Sequence, residues 1–436
     1  MHQNNNAFFY GWYVAISCSL VYFFVNSMTL FVPQNLFPTF IDEFSLSREE
    51  VSLTVRNTLL FAAFLSPLSG ILIDRYGVTI VMRIGIIIMA LTYSFYPFAS
   101  SIETLYRLHI LMAAGLVMSG LGPNVIIVSN WFNKHRGKVV GMVVASSSLG
   151  GATLPLLISP IVNNPEWGWR WGFGLLSIFF WIFAVIPVYK VIRSSPEAME
   201  LRPDGHQETS IDSAESQLLQ STENKDKTEF KDALFSRALF CLGIGSACLW
   251  FAIQGLNSQI RIFFELDVGF TAQQSVLLFS IIYWFSFIGK FSFGALSDRL
   301  PKRTVLFISS CVLFLGSLLL FEISGNELIL TNNTMQLSLF TIFFGLGFGG
   351  SFSMIQLVAV ETFGKKYLGR VLGIISMIDG LAAAGATQLL ASMADDAAGS
   401  YLGAFGLVAI VTLIGIINVF FIKPIKIKSK STEDLS

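Results

Sequence analysis

The sequence predicts an all-α membrane protein with 12 transmembrane helices in two pseudo-symmetric six-helix bundles. Three observations predict it. Of 436 residues, 53% are hydrophobic and only 13% charged, about half the charged share of an average soluble domain. Twelve apolar runs each approach the ~20 residues that a spanning helix needs, and one polar stretch divides them six and six. Two short motifs then recur in the same order in both sets.

The first six runs cover 11–38, 50–73, 78–98, 102–130, 138–162 and 171–192. The second six cover 237–264, 274–297, 304–323, 335–362, 368–393 and 401–422. The opening MHQNNNAFFY has no basic residue and no small-residue cleavage pattern, so the first run is expected to stay as a span. Ser194 to Lys231 is rich in Ser, Glu, Asp, Gln and Lys and holds too few apolar residues for a core. The expected organisation is an N-terminal bundle (1–193), a flexible linker (194–235) and a C-terminal bundle with a short tail (236–436).

Basic residues set the orientation. Arg75 and Arg83, then Lys134, Arg136 and Lys138, then Arg299, Lys302 and Arg303, then Lys365, Lys366 and Arg370 lie on one set of connections, with the linker and tail. The alternate connections hold few bases, so both termini and the linker are expected on the cytoplasmic side. Very short external loops fit a bacterial inner (plasma) membrane, whereas the sequon Asn332-Asn333-Thr334 would matter only in a eukaryotic secretory membrane.

Enzymatic chemistry finds no support. The four cysteines, Cys18, Cys241, Cys248 and Cys311, lie in apolar runs without metal spacing, and the histidines are scattered. Gly345, Gly347 and Gly350 match GxGxxG, but within a span, where close helix packing explains them. No nucleophile–base pair stands out. No cofactor, metal or nucleic-acid partner is expected; membrane lipid and a small-molecule substrate are.

The halves repeat each other. Gly70, Asp74 and Arg75 end the second run as Gly294, Asp298 and Arg299 end the eighth. Trp131-Phe132, Arg136-Gly137 and Gly141 follow the fourth run; Thr362-Phe363, Gly369-Arg370 and Gly373 follow the tenth. Such repeats place a site between the halves near the membrane midplane.

Lys290 lies inside the eighth run, roughly 10 Å before its end at Ser297. Tyr283, Ser286, Lys290, Gly294 and Ser297 share one helical stripe. A cation at that depth needs protein or water around it, or else snorkels to the surface. Asp379, about 13 Å into the eleventh run, reaches a similar depth from its own end. A Lys290–Asp379 pair is expected, either structural or coupling substrate to a proton. Gln254 and Asn257 share a face of the seventh run with Trp250 and Arg261, and Asn26 shares one of the first with Tyr22, Thr29 and Pro33. These, with Asn124 and Gln356, could line a cavity or bond between helices. Arg56 and Arg107 are expected to snorkel, and Trp167, Trp169 and Trp171 to anchor at the outer interface.

On these residues the chain resembles the major facilitator superfamily over essentially its whole length. GxxxDRxG at Gly70–Gly77 looks like its loop signature, although Pro301 stands where the second copy has glycine in that pattern. The resemblance implies the major facilitator fold and a gating role for Asp74, Arg75, Asp298 and Arg299. Tyr10-Gly11-Trp12, the NWFNKHRGKVVGM stretch and a cation four residues before Gly294 resemble the monocarboxylate porter and oxalate–formate antiporter branch, with lysine where arginine is usual. That implies a secondary active transporter of a small organic anion, moved by rocker-switch alternating access with a proton or counter-solute. Substrate contacts then fall on Lys290, Tyr283, Ser286, Gln254, Asn257, Asn26, Asn124 and Gln356, and proton coupling on Asp379. The alternatives are an exporter of drugs, siderophores or other larger metabolites, and a membrane nutrient sensor.

Overall fold

The computed structural model describes residues 9–205, 236–363 and 368–421. Apolar composition and end signals make the helices. Ser47 accepts from the Glu50 backbone while the Glu50 carboxylate accepts from the Ser47 backbone, closing a capping box on the second helix. Thr271 and Gln274 do the same for the eighth. The repeat seen in the motifs thus extends to helix starts.

In chain order the spans are α1 (Gly11–Asn35), α2 (Arg48–Tyr76), α3 (Val78–Phe98), α4 (Ile102–Trp131), α5 (Arg136–Val162) and α6 (Gly168–Lys190). The second half has α7 (Arg237–Asp267) and α8 (Ala272–Leu296), then α9 (Lys302–Leu318) and α10 (Thr334–Phe363). It closes with α11 (Leu368–Asp396) and α12 (Leu402–Phe421). Eleven of these are long and apolar enough to cross a membrane. The other, α9, has 17 residues, five short of its expected end. The chain instead turns into a hairpin, β1 (Phe321–Ser324) against β2 (Glu327–Leu330), antiparallel with Phe321 opposite Leu330. Gly325, at φ 63°, followed by Asn326 supplies the two-residue turn. An all-helical reading missed it because its apolar residues blend into the preceding run.

Packing follows the repeat. In the first half α4 packs on α2 and α3, while α5 packs on α1 and α6. In the second, α10 packs on α8 and α9, while α11 packs on α7 and α12. The halves meet along two seams, α2 with α11 and α5 with α8. Advancing each member by half the chain turns one seam into the other, which is a pseudo-twofold relation.

Gly345, Gly347 and Gly350 are close-packing positions, as expected. A side chain at Gly345 would strike the Ile282 carbonyl, and one at Gly347 the Leu313 backbone. Residues 194–205, expected to be loose linker, dock on the first half. Asp204 accepts from the backbone of Asn133 (2.8 Å) and Lys134 (2.7 Å), and Trp131 donates to the Arg193 carbonyl (3.0 Å). The rest of the linker, Lys365 and Lys366, the chain's first eight residues and the tail from 422 lie outside the described residues.

Candidate substrate site between the halves

Small residues let α5 approach α8. Ser146-Ser147-Ser148-Leu149-Gly150-Gly151 lines the contact, and a methyl at Gly151 would meet the rings of Phe31 (2.6 Å) and Tyr283 (2.7 Å). Lys290 reaches from α8 into this seam. Its Nζ donates to the Val144 carbonyl (3.0 Å) and the Ser147 hydroxyl (3.2 Å), and lies 4.5 Å from the centre of the Phe352 ring. One turn away, the hydroxyls of Ser286 and Ser148 are 3.1 Å apart. Lys290 is only 7% exposed, so it does not snorkel.

The expected Lys290–Asp379 ion pair does not form. Asp379, 8% exposed, accepts from the Ser246 hydroxyl of α7 at 2.7 Å. The two charges are at similar depths but belong to different seams, and depth was all that the sequence could compare. Their positions are nevertheless repeat-related. Lys290 stands four residues before Gly294 as Ser66 does before Gly70; Asp379 stands six after Gly373 as Ser147 does after Gly141. Lys290 thus bonds the serine that is the repeat image of Asp379.

A polar layer lies beside Tyr283. Asn35 accepts from Arg261 Nε (3.0 Å), which joins α1 to α7, and Arg261 is also ion-paired with Glu265. Among the described residues, both amide atoms of Gln34 and of Asn257, Nε2 of Gln254, the Tyr283 hydroxyl and the Ser280 hydroxyl are buried without a hydrogen-bond partner. Asn124 spends its amide nitrogen on the Ser119 (2.9 Å) and Gly120 (2.6 Å) carbonyls where α4 breaks, leaving its oxygen unpaired. Asn26 and Gln356 are half-buried and make no printed-distance contact that would fix a role.

One face of the molecule carries the basic connections after α2, α4 and α8; the opposite face is here called the far face. The seams are clasped at the far face. Arg48 bonds Asp267 twice (3.0 and 2.8 Å) and the Gly399 carbonyl (2.8 Å), with its guanidinium over the Tyr401 ring. Asp395 accepts from the backbone N–H groups of Arg48 (3.3 Å) and Glu49 (2.8 Å) at the start of α2. Gln388 donates to Glu49 (2.6 Å), and Gln259 to Ser52 (2.9 Å). Beside this clasp a cavity of about 360 Å³ is lined by Glu49, Arg56 and Gln388.

The basic face is different. Asp74, Arg75, Asp298 and Arg299 are exposed and make no ion pair among the described residues. A side chain at Gly70, Gly141, Gly294 or Gly373 would meet nothing within 4 Å. The cleft between the halves therefore opens toward the basic face.

Sequence reasoning missed Arg48, Asp267, Asp395 and Tyr401, since their pairing joins segments hundreds of residues apart. It also misplaced Trp169, which is buried and donates to Glu43 instead of anchoring at the surface, while Trp167 and Trp171 stay exposed.

Two six-span halves joined by repeat-related seams define a multi-pass membrane transporter. The chain belongs to the Major Facilitator Superfamily, whose model matches residues 19–387 and 242–435. It is 33% identical over 129 residues to the MFS-type transporter opdF of Penicillium oxalicum, covering 28% of this chain and 29% of that one. It is 23% identical to the riboflavin transporter MCH5 of Saccharomyces cerevisiae over 82% of this chain and 68% of that one. It is 26% identical to human monocarboxylate transporter 7 over 50% and 44%. The chain thus aligns with well under half of the first and third of these relatives. Among solved structures, a D-xylose–proton symporter aligns with a TM-score of 0.70 at 13% identity, covering 94% of this chain and 97% of that one. A bacterial Spinster homologue in an inward-facing, unoccupied conformation aligns with 0.66 at 16%, covering 96% and 97%.

Proposed function

We propose that the protein is a secondary active transporter of a small organic anion, of monocarboxylate type, working by rocker-switch alternating access. The observation that carries this reading is Lys290: a buried cation shared between both halves, held only by neutral acceptors among the described residues. A carboxylate makes charge-assisted bonds about twice as strong as neutral ones, so it would draw Lys290 away from Val144 and Ser147. Those two contacts tie α8 to α5. Substrate binding would then loosen one seam, which couples occupancy to the movement of the halves.

Asp379 is the candidate proton carrier, since a buried carboxylate with one hydroxyl donor is costly to keep charged. Asp74, Arg75, Asp298 and Arg299 would gate the basic face when it closes. Taking that face as cytoplasmic, the conformation described is inward-facing. The named relatives are fungal and human, so they lend nothing to a bacterial inner membrane.

The test is uptake of labelled lactate, formate and oxalate into proteoliposomes with and without a pH gradient. Saturable uptake lost in Lys290→Ala is expected; none by folded wild-type protein would reject the anion. The second reading, an exporter of larger metabolites, draws on the riboflavin transporter, which aligns over most of this chain.

A further inference from the structure

Four side chains on three helices hold buried polar atoms that the fold itself leaves unpaired. They are Gln34 on α1, Gln254 and Asn257 on α7, and Tyr283 on α8, all nine-tenths or more buried. Each such group costs about 1–3 kcal/mol when it has no partner. Neighbouring contacts bring them together. The Tyr283 ring lies 4.3 Å from that of Phe31, one turn before Gln34. Asn35, next to Gln34, accepts from Arg261, one turn after Asn257.

Their height above Lys290 can be measured twice. Tyr283 precedes Lys290 by seven residues on the same face of α8, about 10 Å. On α7, Trp250 packs on Phe352 at 5.5 Å, the same ring that faces Lys290 at 4.5 Å. Asn257 follows Trp250 by seven residues, again about 10 Å toward the far face, with Gln254 between. Both routes put a layer of neutral donors and acceptors two helical turns from the cation.

We infer that the site is bipartite: Lys290 takes a carboxylate, and the Gln34–Asn257–Tyr283 layer takes a neutral hydrogen-bonding group at the other end of the same molecule. The substrate class is an elongated organic acid with a distal hydroxyl, carbonyl or amide. This rests on the anion reading of Lys290. Carboxamides and a phenol both donate and accept, so they suit such a group and do not replace a second cation. A short unsubstituted acid would fill the lower part only and leave the upper layer unpaired.

Calorimetric titration of the purified full-length protein in detergent tests this with hexanoate and 6-hydroxyhexanoate. The hydroxy acid is expected to bind at least about tenfold more tightly. In Asn257→Leu the two acids should bind alike. That variant should unfold no earlier than wild type, since it removes two unpaired buried atoms while keeping shape. In Lys290→Ala neither should bind. Equal affinity of wild type for both acids, with binding still lost in Lys290→Ala, overturns the bipartite site and leaves the anion reading standing. Absence of binding by folded wild type, or binding unchanged in Lys290→Ala, overturns both. If Asn257→Leu fails to fold, Gln254→Met replaces it, with the same narrowing expected.

Discussion

Arg48 at the start of α2 and Asp267 at the end of α7 form a two-bonded ion pair between the halves, at 3.0 and 2.8 Å. The pair is backed by the Gly399 carbonyl and the Tyr401 ring. Forked geometry makes this stronger than a lone surface bridge, and every bond in it must break for the far face to open.

Arg48→Ala should therefore shift the resting population toward a state open at the far face. A loss of about 1–2 kcal/mol corresponds to roughly a 5- to 30-fold change in the ratio of states. Labelling of Ser52→Cys by a membrane-impermeant maleimide reads this, because Ser52 lies beneath the clasp on α2. Labelling no faster with Arg48→Ala than without it would mean that the clasp does not hold the far face.

Gly70 and Gly294 border open space now but face the cleft on seams that close at the basic face in the alternate state. Gly70→Leu should leave thermal unfolding unchanged or slightly later, since leucine favours helix over glycine by up to about 1 kcal/mol. Transport should nevertheless fall at least about tenfold. Wild-type transport with leucine at 70 would show that this position never enters a tight contact.

Gly347→Leu should behave in the opposite way. Its side chain would run into the Leu313 backbone in the packed α9–α10 contact. Overpacking of this kind costs about 1–3 kcal/mol or more, so yield of folded protein should drop whatever the substrate. Size-exclusion profiles and thermal unfolding in detergent are the readouts.

Asp379→Asn should keep the bond from Ser246, since the amide oxygen also accepts. Equilibrium exchange of substrate should persist, while accumulation against a gradient driven by an imposed pH difference should vanish. Accumulation equal to wild type would remove Asp379 from proton coupling.

How much of this could be read in advance follows from the range of each interaction. The spans were legible because burying the backbone in lipid demands about 20 apolar residues, and the repeat was legible because Gly70-to-Arg75 and Gly294-to-Arg299 are local patterns. The hairpin after α9 was missed since Ile323 and Leu328 continue the apolar character of the helix before them. Lys290 and Asp379 were each found as buried charges, but their partners, Ser147 and Ser246, sit on helices chosen by tertiary packing. Arg48 carried no local signal at all: in sequence it is one charge among IDEFSLSREE, and only the fold brings Asp267, Asp395 and Tyr401 around it.

The repeat relation between Lys290 and Asp379 has an electrical side. A duplicated chain starts with two equivalent seams and no preferred direction between them. Here one seam carries a positive charge and its image carries a negative one. The pair forms a transverse dipole across the cleft, so an anion and a proton entering from the same opening are drawn to opposite walls. Sorting of the two travellers by side, instead of by depth, lets both ride in one movement without neutralising each other on the way.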